Sequence, residues 1–257
     1  MTGVMLNSFQ HLLSFPFGEI LNQVQDDRSK TFRIHSERTR GLSRWALILT
    51  SLLVLIGYSV AWSAVGCDLN DPDRDVARLF PESTGYKTNY VSIVQRGGEP
   101  LLRKVETRLG DKFQGIYETI DVPYTIYEIL GNKKKIGYIH GVNQKGQYGG
   151  IQVFVSLDLE GRIKAFYIQK MTSKYAGKLR DANFGKQFLG LTLKDFDLYD
   201  VTSGKATGKA AEIKNPVPEA EADFRAALRA TKKNLVLMDE FIYSPQGGSS
   251  DKGAPQK

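Results

Sequence analysis

Hydrophobic and polar positions divide the chain into three stretches. From 46 to 64 the run Ala-Leu-Ile-Leu-Thr-Ser-Leu-Leu-Val-Leu-Ile-Gly-Tyr-Ser-Val-Ala-Trp-Ser-Ala carries no charge and has no polar face. Beyond Asp71 the pattern is that of a folded domain, switching between period two and helical spacing. From Ser244 to Lys257 the chain is Gly, Ser, Pro, Asp and Lys-rich, with too little apolar surface to pack, and is expected to be a disordered tail.

Within the middle stretch the elements follow from local chemistry. Asp71-Pro72-Asp73 predicts a helix start: an Asp cap, Pro at the first position and acids at the positive end of the dipole. That helix stops at Phe80-Pro81. Tyr86 to Gln95 alternates as a strand. Glu99 to Leu109 places Leu101, Leu102, Val105 and Leu109 at helical spacing, with Gly110 as the stop. Tyr124–Leu130 and Lys135–Val142 flank Gly131-Asn132, a hairpin signal. Ile151–Leu157 and Arg162–Gln169 form a second hairpin around Asp158-Leu-Glu-Gly161, where glycine supplies positive φ. Lys174 to Leu189 reads as loop and short helix, with Phe184 and Phe188 on one side. Leu191–Val201 leads into a small, polar, flexible stretch, 202–208. From Pro218 a helix runs to about Met238, with Phe224, Ala227, Leu228, Thr231 and Leu235 as its apolar stripe. The expected fold class is α+β, an antiparallel sheet with packed helices, preceded by a single N-terminal transmembrane or signal helix.

The 46–64 run is long enough for a bilayer core of ~30 Å. Arg38, Arg40 and Arg44 precede it, and Asp68, Asp71, Asp73 and Asp75 follow. Basic residues stay inside, so the long C-terminal part faces the extracytoplasmic side of the cytoplasmic (inner) membrane. Trp45 and Trp62 stand at its ends, where indoles favour the interface. Ala64-Val65-Gly66-Cys67 resembles a lipobox, which makes Cys67 a candidate for lipidation. An uncleaved anchor with Cys67 as a plain thiol is the alternative. The divisions are therefore 1–44 as a cytoplasmic segment, 45–66 as anchor or signal, 68–243 as the working domain and 244–257 as tail. Within the first, 1–27 reads as translated intergenic sequence or as a short amphipathic helix, and is left out of the fold reasoning.

Charge narrows the choice of partner. The whole chain is +7; residues 1–67 hold 6 Lys+Arg and 4 Asp+Glu, leaving 29 and 24 for the remainder. A mixed surface near +5 is no nucleic-acid footprint. One cysteine excludes an internal disulfide framework and any multi-cysteine metal site, and three histidines, two of them before residue 36, make a histidine-based centre unsupported. No nucleophile–base–orienter set is visible, so hydrolysis is not supported.

The order of hairpin, hairpin, short helix, small polar turn and final helix, from Tyr124 to about Tyr243, resembles the FMN-binding domain family. Its members include the G subunit of the ion-translocating ferredoxin:NAD oxidoreductase and the C subunit of the sodium-pumping NADH:quinone oxidoreductase. The resemblance is carried by Tyr148-Gly-Gly-Ile151, by Asp158-Leu-Glu-Gly161 and by Phe184-Gly-Lys-Gln187-Phe188-Leu-Gly190. It implies a membrane-anchored electron-transfer protein that holds FMN and works with membrane redox partner subunits. Asp200-Val-Thr-Ser203-Gly204-Lys205-Ala206-Thr207 corresponds to the family's Asp-x-x-Ser-Gly-Ala-Thr, in which the Thr hydroxyl is esterified to FMN phosphate. One extra residue here shifts that hydroxyl against the loop, which argues against covalent attachment at Thr207. The family's Glu-Thr-Pro-Gly loop is replaced by Lys170-Met-Thr172-Ser-Lys174-Tyr175-Ala-Gly177.

The candidate cofactor contacts are Ser203, Gly204, Lys205 and Thr207 at the phosphate, with Lys209 as a second cation. Tyr175 or Tyr148 can stack on the isoalloxazine, and Lys170, Thr172 and Lys174 lie in the replaced loop. Each has a plainer reading: a solvated turn for 203–209, core packing for the tyrosines, solvated surface for the lysines. His140 reads as packed, and Lys133–Lys135 as a solvated hairpin tip. The competing function is a non-catalytic envelope lipoprotein or scaffold subunit that kept the fold and lost the flavin.

Overall fold

The structure, a computed structural model, describes residues 67–244. The 46–64 run, the segment before it and the tail lie outside the described residues. Among the described residues no helix is long and apolar enough to cross a membrane.

Five antiparallel strands build the centre: β1 (Gly85–Val91), β2 (Tyr124–Gly131), β3 (Lys134–Lys145), β4 (Gly150–Leu157) and β5 (Ile163–Met171). They lie in the order β1-β2-β3-β4-β5, so each pairs with its neighbour in sequence. Seven helices complete the domain: α1 (Pro72–Leu79), α2 (Ile93–Arg96), α3 (Gly98–Leu109), α4 (Ala176–Leu179), α5 (Ala182–Lys186), α6 (Leu193–Asp197) and α7 (Glu221–Met238). The α+β class expected from the pattern is the one found.

Period two sorts the side chains between the faces of the sheet. Ile126, Tyr138, Val142, Val153, Val155 and Ile168 point to the face covered by α7, which packs on β3 and β4. Tyr127, Ile139 and Phe154 point to the other, where Val76, Leu79 and Phe80 from α1 close over them. The second cluster fits because β3 carries glycine at two positions on that face. A Cβ on Gly137 would collide with the Phe80 ring, and one on Gly141 with the Phe154 ring. Burying an aromatic side chain of this size contributes roughly 1.5–3 kcal/mol.

Several local expectations hold. Asp71 caps α1 by accepting from the Arg74 amide, and Gly110 ends α3 with φ 82°. Phe184 and Phe188 are both buried, and Phe188 stacks on Phe166 with 3.9 Å between centroids. Others are corrected. The 86–95 strand stops at Val91; Ser92 and Gln95 form a reciprocal capping box that turns the chain into α2. The first hairpin turns on Asn132-Lys133, with φ 51° and 65°, one residue later than expected. A two-residue loop with both φ positive matches the right-handed strand twist. The 202–208 stretch is an ordered turn: Tyr199 bridges Ala206. Finally, α7 has no solvent stripe along most of its length, since every residue from Ala226 to Met238 is buried.

Candidate functional site

The turn at 200–207 is built around one carboxylate. Asp200 accepts from the Thr202 amide at 2.9 Å and from the Ser203 hydroxyl at 2.5 Å. Its carbonyl takes the Gly204 amide and its own amide donates to the Lys205 carbonyl, each at 2.8 Å. The Ser203 hydroxyl and the neighbouring amides hold the Asp200 carboxyl below its ordinary range. Gly204 has φ 75°, and a Cβ there would run into the Arg225 guanidinium. Arg225 Nη2 in turn donates to the Thr202 carbonyl at 2.5 Å. Ser203, Lys205, Thr207 and Lys209 are exposed.

These groups fit a phosphate in charge. Lys205 and Lys209 offer two exposed cations, Arg225 a third beside Gly204, and Thr207 an exposed hydroxyl. The fit in hydrogen bonds is poorer. The Thr202, Gly204 and Thr207 amides are already committed within the turn, and Asp200 places a negative charge where Ser203 would meet the ligand.

The ring-side candidates stand elsewhere. Thr172 lies beside Gly149, in the turn between β3 and β4, and Lys174 sits over the Tyr175 ring at 4.9 Å. Lys170 pairs with Gln152 on the outer edge of the sheet, and Tyr148 is half exposed. The start of α7 relates the two groups. Asp223 accepts from the Gln147 amide at 2.8 Å, holding the β3–β4 turn, while Arg225 holds the 202–204 turn. Two residues along a helix are ~200° apart around its axis. The β3–β4 turn and the 202–204 turn are therefore held by side chains on opposite sides of α7. Ser203, Gly204, Lys205 and Thr207 are brought together; Lys170, Thr172 and Tyr175 form a separate group.

The most concentrated chemistry in the domain went unread in the sequence. Glu118, with its side chain fully buried, receives Arg229 Nη1 at 2.7 Å and Nη2 at 3.2 Å, a two-pronged pair. Lys233 Nζ reaches the same carboxylate at 2.5 Å. Arg229 also bonds Asp111, Gln144 and the Lys112 carbonyl, and Lys233 donates to the Asn143 carbonyl. Burial pushes Glu118 upward, but the Lys233 and Arg229 charges overcome it and leave the carboxyl below its usual value. Burial lowers Lys233, against the pull of Glu118. A signal was present: Ala226, Arg229, Ala230, Lys233 and Leu237 share one helical face, and cations among small apolar residues point to a buried partner.

Two further predicted residues border this region. Cys67 is buried, and burial raises its thiol strongly. Lipidation there would require the first described residues to leave the cluster they share with Leu69 and Val76. His140 is fully buried, its Nδ1 2.7 Å from Asn234 Oδ1 and its Nε2 without a partner. Burial brings its pKa down to about 4. Among the described residues no cluster of His, Cys, Asp or Glu is arranged to hold a metal ion. No family model matches the chain, and no curated protein matches it.

Proposed function

We propose that the chain is a flavin-binding electron-transfer protein of the FMN-binding-domain type, tethered to the cytoplasmic membrane by its 45–66 segment, with the 68–243 domain on the extracytoplasmic side. The observation that carries the reading is the Asp200–Thr207 turn. It stands between the second hairpin and the final helix, as the resemblance requires, and exposes Thr207 among Lys205, Lys209 and Arg225. Bound FMN would supply the one- and two-electron chemistry. The turn's cations would offset its phosphate, and membrane redox subunits would be the donor and acceptor.

A second reading has its own support. Asp200 already occupies the Ser203 hydroxyl, and Lys170 stands opposite Gln152 on the edge strand with no contact to the 203–207 turn shown. Those features suit an envelope scaffold protein that kept the fold without the flavin.

Purified full-length protein separates the two. Under the first reading it carries, or takes up from solution, FMN absorbing near ~450 nm. Lys205→Glu weakens uptake, and acid releases the flavin because Thr207 is not esterified. Colour that stays with the acid-precipitated chain would establish the ester. A colourless protein that binds no added FMN would leave only the scaffold reading.

A further inference from the structure

In an antiparallel meander the C-terminal ends of β1, β3 and β5 and the N-terminal ends of β2 and β4 gather at one end of the sheet. The exposed apolar side chains are distributed unevenly between the two ends. Tyr90 is 63% exposed at the close of β1, and Val94, Ile116 and Tyr148 are each 50% exposed. Val94 is held there by the hydrogen bond its N–H donates to the Ile120 carbonyl, just before β2. Ile116 lies in the 3-10 turn Gly115–Tyr117, whose Tyr117 ring abuts Gly150 at the start of β4. Four of the seven large, exposed apolar side chains of the described residues thus crown this end.

Charges of both signs stand at the same end, with exposed Lys145, Lys170 and Lys174 alongside exposed Asp68, Asp121 and Glu219. The lysine-rich hairpin tip, Lys133–Lys135, is at the opposite end. The chain enters the domain at the apolar end: Cys67 lines one small recess with Ile116, Tyr117, Pro123 and Tyr124. The uncharged 46–64 run closes three residues earlier, and three residues span at most about 10 Å.

We infer that this end of the sheet is a membrane-resting surface, with Tyr90, Val94, Ile116 and Tyr148 seated in the headgroup region of the bilayer. Tyrosine favours that boundary because its ring is apolar and its hydroxyl is wet. With charges of both signs around it, the exposed apolar group carries the contact and zwitterionic lipid suffices. The inference rests on the reading of 46–64 as a membrane span, and of the two ring-stacking candidates it leaves Tyr175 to the flavin.

The test uses the full chain in phosphatidylcholine vesicles and nanodiscs. Spin labels are placed by Ile116→Cys, Tyr148→Cys and, at the far end, Lys134→Cys; buried Cys67 stays in place and unlabelled. The expected result is flotation with the vesicles, with the first two labels relaxed by lipid-soluble oxygen and the third by an aqueous nickel complex. Adding phosphatidylglycerol should change the first two little. Hydrogen exchange on the unmodified chain gives the same answer without substitution, through slower exchange at Gly115–Tyr117 in nanodiscs than in the detergent-free domain released by proteolysis. A chain that floats while labels 116 and 148 report water, with unchanged exchange at 115–117, overturns the resting surface and leaves the anchor intact. A chain that does not float removes the anchor and this surface together.

Discussion

Two charge-rich regions flank α7, and they use their charges in opposite ways. At Glu118–Arg229–Lys233 one buried carboxylate is shared by two buried cations, with Asp111, Gln144 and backbone carbonyls taking the remaining donors. At Asp200–Thr207 one exposed carboxylate organises a turn; Lys205 and Lys209 are exposed, while Arg225 holds the Thr202 carbonyl. In the first region the charges stabilise one another only while all are present. In the second the two lysines are free to meet something else. Lysine and arginine content is similar in both, so composition alone does not separate a buried cluster from an exposed turn. Burial of the partner does.

The largest expected effect tests the buried side. Glu118→Gln leaves buried Lys233 without a carboxylate and Arg229 with Asp111 alone, and should cost about 3–5 kcal/mol in urea unfolding. If the cluster is structural rather than functional, replacing Glu118 by Leu together with Arg229 and Lys233 by Met should recover most of that loss. A triple variant as unstable as Glu118→Gln would contradict this account.

Next comes His140. Its folded pKa of about 4 lies below the unfolded value of about 6.5. Between these limits the unfolded chain binds a proton that the folded one refuses. Stability should therefore be intact above pH 6.5 and fall as the pH drops towards 4, by on the order of 3 kcal/mol. His140→Gln should flatten the slope in that window, read from denaturation midpoints at stepped pH.

The turn predicts smaller changes. Gly204→Ala must adopt φ 75° and displace Arg225, at about 1–2 kcal/mol, visible as a lowered midpoint. Thr207→Ala touches an exposed side chain and should stay within about 0.5 kcal/mol. A large loss of stability at Thr207 would mean that the turn is no more free than the buried cluster.

Sequence legibility follows the same division. The second hairpin was readable because alternation and an Asp-x-x-Gly turn are local signals. The turn at 200–207 was readable as a unit because its residues are contiguous. The strand assigned to 86–95 failed at Ser92, where a capping box competes with apolar alternation and wins through two satisfied backbone donors. The ring-side residues could not be placed against the turn, because their relation depends on how α7 is rotated against the sheet. The stripe from Phe224 to Leu235 was correct as far as it went. It did not foresee that Arg229 and Lys233 are buried too, since their partner stands 111 and 115 residues earlier.

That separation has a kinetic meaning. Strands β2 to β5 can assemble early because each pairs with the next across a short turn, whereas β1 must close over residues 92–123 to reach β2. Glu118 must wait while 115 further residues are made, roughly ten seconds at ordinary elongation rates. A nascent chain stalled before Lys233 would display all five strands with an unmatched anion beside the end of β3. Release of the C-terminal helix is then the step that closes the domain, and quality-control proteases would have their opening until it happens.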